Sequence, residues 1–408
     1  MREGLLSKLL FVHDHIFTLA GNSIYSSGAF PSWAWDRYLT SFSSVTVAAR
    51  SKEYFGDVST LKIDRSEKDG VEFVFLESIS TLRDLVTGGG ETGRKLKELV
   101  AAHDAVVVRL SSELGLLALK YAVTLKKKVV VELVDCPWDS YWNYGGVAAK
   151  LYAPLITRRV RSAVRKADGV LYVTQSFLQN RYPCRHGALT VACSNVNIQN
   201  IDEAVLLRRL EKIQVRKDIV KVSPVIGQIA SLTGRFKGIQ IMLEVIPELI
   251  KTYPGLKYKV LGAGDPKPFL LRAESLGISD HVEFCGTVPS GVPVLNWLDN
   301  IDLYVHPSLK EGLPRAVIEA MSRGCPVVAT SVAGTPELLS SKFLAKPKSK
   351  KELLERILFV LSGSCDLAQA ARENFNKSKE YSSSLLESRR SEFWAAFAGR
   401  VYENNVPR

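Results

Sequence analysis

The run His306-Pro-Ser-Leu-Lys-Glu311-Gly-Leu-Pro314-Arg315-Ala-Val-Ile-Glu319-Ala-Met-Ser-Arg-Gly324-Cys-Pro326 reads as a strand end, a loop and a helix. Asp302 to His306 is the strand, where apolar, β-favouring residues stop at a Pro-Ser pair. Pro314 suits the first helical turn, and Gly324 followed by Pro326 stops the helix. Glu311 therefore lies in the loop before the helix and Glu319 inside it. Free N–H groups at the helix start, with Gly312 allowing close backbone approach, can bind phosphate, while the two carboxylates accept hydrogen bonds from sugar hydroxyls on either side. A nucleoside diphosphate sugar has that layout. Spacing alone favours the plainer reading of two solvated glutamates on an ordinary strand-loop-helix unit.

At these residues the chain resembles the retaining glycosyltransferases of family 4, marked by Glu, seven residues and Glu in a Glu-Gly-x-x-x-x-x-x-Glu-Ala context. Glu311 to Glu319 stand in that pattern, followed by Met321, Gly324, Pro326-Val-Val-Ala-Thr and Gly334-Thr-Pro-Glu337. The resemblance implies that Glu311 contacts the donor sugar and Glu319 the ribose of its nucleotide, with Gly312, Leu313, Gly334 and Thr335 around the same ligand. It implies an α/β fold of the GT-B type: two Rossmann-like, doubly wound parallel-sheet domains facing each other across a cleft, with a C-terminal helix packing back on the first.

The chain as a whole suits that size. Its 408 residues, 46% hydrophobic and 24% charged, exceed one ordinary core and describe a globular enzyme-like protein. The expected domains are 1–200 and 220–381, joined by a linker helix over 201–219, with helix 382–401 returning to the first. A formal charge of +12 predicts attraction to an anionic partner: membrane surface, nucleic acid or nucleotide. The six cysteines have no Cys-x-x-Cys spacing and read as reduced core residues in a cytoplasmic protein. Leu5 to Leu10 is too short an apolar run for a membrane span.

In the first half, Leu9 to Val12 opens a βα alternation, and His13-Asp14-His15 is expected at the strand's C-terminal end, where open α/β sheets place ligands. These residues are candidate acid-base or acceptor-binding groups, or the start of a solvated loop. The loop continues through Gly28, which by resemblance lies near the donor phosphates. Trp35 to Phe42 reads as a helix; Val45 to Ala49, Val71 to Leu76, Ala105 to Leu110 and Lys128 to Val134 read as strands of a parallel, doubly wound sheet. Asp135-Cys-Pro-Trp138-Asp139-Ser-Tyr141-Trp142 follows, and rings beside carboxylates suit a sugar site. Many family members carry a histidine near this strand end, where this chain has Asp135.

From Lys150 to Lys166 the sequence forms a basic amphipathic helix, with Leu151, Leu155, Ile156, Val160, Ala163 and Val164 at helical spacing among arginines. Such a helix can lie on anionic lipid headgroups, or face the domain core with its arginines in water. In the second half, Thr233-Gly-Arg235-Phe-Lys237-Gly238 leads into a helix, and cations beside free backbone N–H groups make a diphosphate site. Lys237-Gly238 matches the family, whereas Gln228 stands where its arginine is usual, and Arg235 is the candidate to supply the missing charge. Gly334-Thr335 is expected to open another helix at the same phosphates.

The expected activity is a metal-independent, retaining transfer of a hexosyl group from a nucleotide diphosphate sugar to a glycan or lipid-linked acceptor, in bacterial polysaccharide biosynthesis. Catalytic candidates are Glu311, Lys237, Arg235, His13 and Asp135. No Asp-x-Asp metal pair occupies a strand end, and no cofactor is expected. The setting is cytoplasmic, peripheral on the inner face of the plasma membrane through helix 150–166, with no nucleic-acid module. Two other classes share the residues: an epimerase or hydrolase of nucleotide sugars, using His13, Asp14 and His15 as acid and base, and a basic binding protein without activity.

Overall fold

The computed structural model describes residues 7–26, 30–56, 63–79, 89–143, 146–199 and 201–405. The backbone separates into two units, one of residues 1–137, 154–193 and 387–408, the other of 138–153 and 194–386. Residues 138–153 and 194–200 thus group with the second unit.

Among the described residues, the sheet of the first unit contains β1 (Lys8–Ala20), β2 (Ser23–Ser26), β3 (Ser44–Glu53), β4 (Asp64–Arg65), β5 (Val71–Phe75), β6 (Ala105–Leu110), β7 (Lys128–Leu133), β8 (Gly169–Tyr172) and β9 (Leu189–Ala192). Its parallel part runs β5-β3-β1-β6-β7-β8-β9, and β2 and β4 add antiparallel pairings beside β1. The chain winds outward from β1 in both directions, the doubly wound order of nucleotide-binding sheets. Ala-Val-Val-Val-Arg-Leu in β6 is buried throughout, as strands covered on both faces must be. Helix α1 (Glu113–Thr124) follows β6, its first turn capped by Ser112, whose Oγ accepts the Gly115 N–H at 3.0 Å. The long helix α2 (Val147–Lys166) precedes β8.

β1 differs from expectation. It does not stop at Val12 but continues to Ala20, and the register shifts between Val12 and Ile16. Val12 pairs with Ala48 and Ile16 with Arg50, so His13, Asp14 and His15 stand opposite Ala49 alone. They form a bulge within the strand, not the start of a loop. Before it β1 pairs with β6; after it, with β2. A bulge bends the strand and re-aims its side chains, which explains the change of partner. The helix expected over Trp35 to Phe42 is a 3₁₀ turn, Ser32–Trp35, followed by one α-turn, Asp36–Leu39.

In the second unit, α3 (Glu203–Val220) takes the place of the expected linker helix. It is bound into this unit by Arg209, which donates to the carbonyls of Arg323, Ile301 and Leu298 at 3.0, 2.7 and 2.9 Å. The sheet comprises β10 (Val225–Ile229), β11 (Lys257–Leu261), β12 (Val282–Phe284), β13 (Leu303–His306), β14 (Val327–Thr330) and β15 (Leu344–Ala345). All are parallel, in the order β12-β11-β10-β13-β14-β15. The order reverses between β10 and β13, and the crevice beyond the carboxyl ends of such strands is where open sheets bind ligands. Helix α4 (Ile239–Thr252) buries Met242, Leu243 and Ile246 on this sheet, and α5 (Arg315–Ser322) follows β13. Pro314 caps α5 one residue earlier than the first-turn position expected of it, and Gly324 ends the helix in the left-handed region at φ +59°, open to glycine without steric cost.

Helix α6 (Ser383–Asn405) joins the first unit from Glu387 onward. Its Trp394 ring lies edge-on to Tyr38 at 5.0 Å, and Phe397 packs near Phe42 at 6.3 Å. Burying each ring contributes about 2 kcal/mol, so the helix is held by its aromatic face. Among the described residues, no helix is long and apolar enough to cross a membrane.

Candidate functional site

The expected donor residues gather at the carboxyl ends of β10 and β13. Gly238 caps α4 in the left-handed region, φ +75°, and a Cβ there would lie 1.9 Å from the Pro307 carbonyl oxygen. Only glycine lets the loop after β13 pass so close to the start of α4. The same two loops are stitched by Leu309 N–H and Ser308 Oγ, both donating to the Phe236 carbonyl at 2.7 and 3.1 Å. This carries Lys237 to Glu311: Nζ to Oε1 is 2.6 Å. His306 Nε2–H donates to the same oxygen at 2.8 Å, and the Tyr304 hydroxyl lies 3.3 Å from His306 Nδ1.

Burial alone would raise the Glu311 carboxyl; Lys237 and His306, by charge and by hydrogen bond, outweigh it and hold the group well below the usual carboxylate range. Glu319, one turn into α5, goes the other way: burial raises it and only Arg315 opposes. Its carboxylate has no hydrogen-bond or ion-pair partner among the described residues. One carboxylate is therefore ionised and held by Lys237 and the His306 ring, while the other stands ready to accept ligand hydroxyls. At the helix starts the Ile241 and Val317 amides already donate to the cap carbonyls of Gly238 and Pro314, whereas those of Ile239 and Gln240 in α4 and of Arg315 and Ala316 in α5 have no acceptor among the described residues and favour a phosphate.

Gln228 explains its departure from the family pattern. It is fully buried in β10; its Nε2 donates to the Lys237 carbonyl at 2.8 Å and its Oε1 accepts from the Tyr258 hydroxyl at 2.5 Å. Gln228 thus anchors the backbone of Lys237. Gln228→Leu is expected to keep the fold while nucleoside diphosphate affinity falls about tenfold in calorimetry, since the lysine loses its tether. Unchanged affinity would dismiss this role.

Other expectations fare differently. Arg235 is exposed, and its side chain makes no ion pair or hydrogen bond among the described residues; its carbonyl accepts from Gly238 N–H and Gln240 Nε2 at 3.2 and 2.8 Å. The Lys237–Glu311 pair therefore forms without it. Gly334 to Glu337 is a single 3₁₀ turn, not a helix start, and its amides are spent: Gly334 N–H on Gly312, Thr335 on Val332, Glu337 on Gly334. What it offers is Thr335 Oγ1, buried and without a partner among the described residues. Gly312 and Leu313 are buried just ahead of α5. Gly28 lies outside the described residues.

On the first unit, Asp14 is committed to structure, accepting the Glu113 and Leu114 N–H groups at 2.6 and 3.3 Å and so capping α1. That removes it from an acid-base trio. Asp135, beyond β7, accepts from Ser111 Oγ at 3.5 Å. His15 N–H donates to His13 Nδ1 at 3.1 Å, leaving the proton of the neutral His13 ring on Nε2. Burial, then Arg109 and His15, lower His13 to about 3; burial and Arg109 lower His15 to about 4. Beneath them Arg109 pairs with buried Glu132 at 2.8 Å, Tyr38 donates to Glu132 at 2.7 Å, and the guanidinium lies 4.6 Å from the Phe30 ring centroid. This pair was missed, although Arg109 and Glu132 are the only charges inside two apolar strand cores and stand in register.

Both histidines are neutral when folded and protonate near 6.5 when unfolded. Unfolded chains therefore bind more protons below that pH, and the stabilising effect, complete above it, is lost as pH falls toward 4 and 3. Between pH 7 and pH 5 each histidine is expected to cost about 2 kcal/mol. The unfolding transition of the first unit, followed against pH, should flatten in a His13→Gln, His15→Gln double variant; an unchanged slope would contradict neutral histidines.

With this geometry in place, relatives become informative. The family model described as Glycosyl transferases group 1 matches residues 223–363. The second unit carries a glycosyltransferase group 1 domain. CapJ of Staphylococcus aureus is 29% identical over 351 residues, 86% of this chain and 85% of CapJ. The amylovoran biosynthesis glycosyltransferase AmsK of Erwinia amylovora is 33% identical over 144 residues, 33% of this chain and 35% of AmsK. In fold, the crystal structure of Anabaena Alr3699/HepE in complex with UDP matches at TM-score 0.60 and 17% identity, covering 98% of this chain and 99% of that one. The fold is thus that of GT-B glycosyltransferases, and Lys237, Glu311 and Glu319 all fall within the glycosyltransferase domain. Among the described residues, no group of three or more His, Cys, Asp or Glu side chains is arranged to hold a metal ion.

Proposed function

We propose that this chain is a retaining glycosyltransferase that moves a sugar from a nucleoside diphosphate sugar to a glycan or lipid-linked acceptor in the assembly of a bacterial polysaccharide. The observation that carries the reading is the Lys237–Glu311–His306 set between two helix N-termini at the switch point of the second sheet. Departure of the nucleoside diphosphate builds negative charge on the diphosphate and positive charge on the sugar. Lys237 and the first-turn amides of α4 and α5 oppose the first charge, more in the transition state than in the ground state. Ionised Glu311 opposes the second, and Glu319 accepts the ribose hydroxyls.

Protein cations then do the work of a divalent metal. Retention follows the family resemblance: a front-face reaction in which the leaving diphosphate takes the acceptor proton. His13 serves as a neutral Nε2–H donor to a sugar hydroxyl and Asp135 as an acceptor. UDP in the HepE complex makes a uridine nucleotide the first donor to try, and the name of AmsK supports a polysaccharide product. The cysteines, all six free, suit a reducing cytoplasm.

The test is turnover of nucleotide sugars by the purified chain with and without acceptor, in the presence of a chelator. Acceptor-dependent product with the α-linkage of the donor kept supports the proposal. Turnover of donor alone to an epimer or a free sugar would replace it with the epimerase or hydrolase reading.

A further inference from the structure

The bulge in β1 carries two histidine rings of the first unit, and its surroundings fix each ring differently. The half-buried His13 accepts the His15 backbone N–H on Nδ1 at 3.1 Å, and its Nε2 meets no hydrogen-bond partner among the described residues. The His15 ring packs edge-on against Phe17 at 4.6 Å and Phe30 at 5.0 Å, and its Nε2 lies 2.9 Å from Ser26 Oγ. β2 returns that serine to the bulge by running antiparallel to β1, with Tyr25 opposite Thr18.

The hydrogen positions follow from donors and acceptors. Ser26 is fully buried; its oxygen accepts the Phe30 N–H at 3.1 Å, and among the described residues His15 Nε2 is the acceptor within reach of its own hydrogen. A buried hydroxyl keeps its hydrogen paired, so Ser26 donates to His15 and the proton of the neutral His15 ring sits on Nδ1. His13 carries the opposite form, with its proton on Nε2. Two histidines two residues apart are thus held as different tautomers.

Phe30 joins the two rings. Its ring lies 5.7 Å from His13, stacks on Trp35 at 5.4 Å with the planes 4° apart, and has the Arg109 guanidinium 4.6 Å from its centroid. Ser66 closes the circuit: its Oγ donates to the Phe30 carbonyl at 2.6 Å, and its own carbonyl accepts the Trp35 Nε1–H at 2.9 Å. Ser66 is also fully buried, but of the two serines Ser26 is the one bonded to an imidazole.

We infer that Ser26 is a positioning residue for sugar transfer: it holds His15 in the Nδ1–H form and ties that ring to Phe30, which keeps the His15 backbone N–H on His13 and the His13 Nε2–H free for a sugar hydroxyl. This rests on the reading of His13 as a donor to the sugar. Ser26, without exposed surface, touches no ligand itself and acts through the two rings.

The test is NMR of full-length protein with labelled histidine ring nitrogens at about pH 7, the signals assigned with His13→Gln and His15→Gln variants. The spectra are expected to show His13 protonated on Nε2 and His15 on Nδ1. In Ser26→Ala the His15 ring should move to the Nε2–H form or average between the two, and kcat for transfer should fall about tenfold with the KM for the donor unchanged. Ser66→Ala, which removes an equally buried hydroxyl from the same circuit, should lower thermal stability and leave both tautomers in place. A parent His15 protonated on Nε2, tautomers unmoved in Ser26→Ala, or an unchanged kcat in that variant would each overturn the inference. A parent without transfer activity would instead remove the glycosyltransferase reading and the catalytic role with it, while the tautomer pair would still decide whether Ser26 sets the rings.

Discussion

Glu311→Gln is expected to lower the turnover of sugar transfer by about a thousandfold while nucleotide affinity changes little. The amide keeps the shape of the side chain and still accepts hydrogen bonds from Lys237 and His306, so the loop after β13 stays in place. What disappears is the negative charge beside the developing positive charge of the sugar. Because the folded carboxyl lies well below the usual range, acid should not mimic the substitution in the native enzyme at mildly acidic pH. The check is steady-state kinetics with separate kcat and KM, alongside calorimetric binding of the nucleotide. Turnover within tenfold of the parent would remove Glu311 from the reacting centre.

Lys237→Ala should act on the other partner of the pair. Nucleoside diphosphate affinity is expected to fall about a hundredfold, and that of the monophosphate much less, because the lysine serves the outer phosphate. The parent protein should gain thermal stability from one nucleoside diphosphate without magnesium, and the variant should lose that gain. The carboxyl of Glu311, deprived of its main cation, should titrate closer to the ordinary range. Equal loss for diphosphate, monophosphate and nucleoside would instead mark Lys237 as a support of the loop alone.

These two experiments probe a site whose halves were unequally visible in the chain. The unit from β13 to α5 could be read almost residue by residue: an apolar, β-favouring strand, a Pro-started helix and a Gly324 stop all lie within some twenty positions, and each signal is local. Lys237 and Glu319 were legible for the same reason. So were most parallel strands, since buried runs such as Ala105 to Leu110 need no partner to be recognised. The bulge was not. His13-Asp14-His15 looks like a strand end because three polar residues interrupt an apolar run, and only pairing with β3 and β2 shows that the strand goes on.

Local chemistry in the sequence thus established the two-sheet α/β class, the strand-loop-helix unit and the types of group at the donor rim. Tertiary structure decided which of them meet. Lys237 and Glu311 are 74 residues apart and touch because β10 and β13 are neighbours in the second sheet. Gln228 became an anchor, Asp14 a helix cap and Arg109 the partner of Glu132 because register and burial chose one hydrogen-bond partner among many. The outward turn of Leu151 and Leu155 came from the same source: helical spacing defines a stripe, but only packing on the sheet determines which side of it faces water.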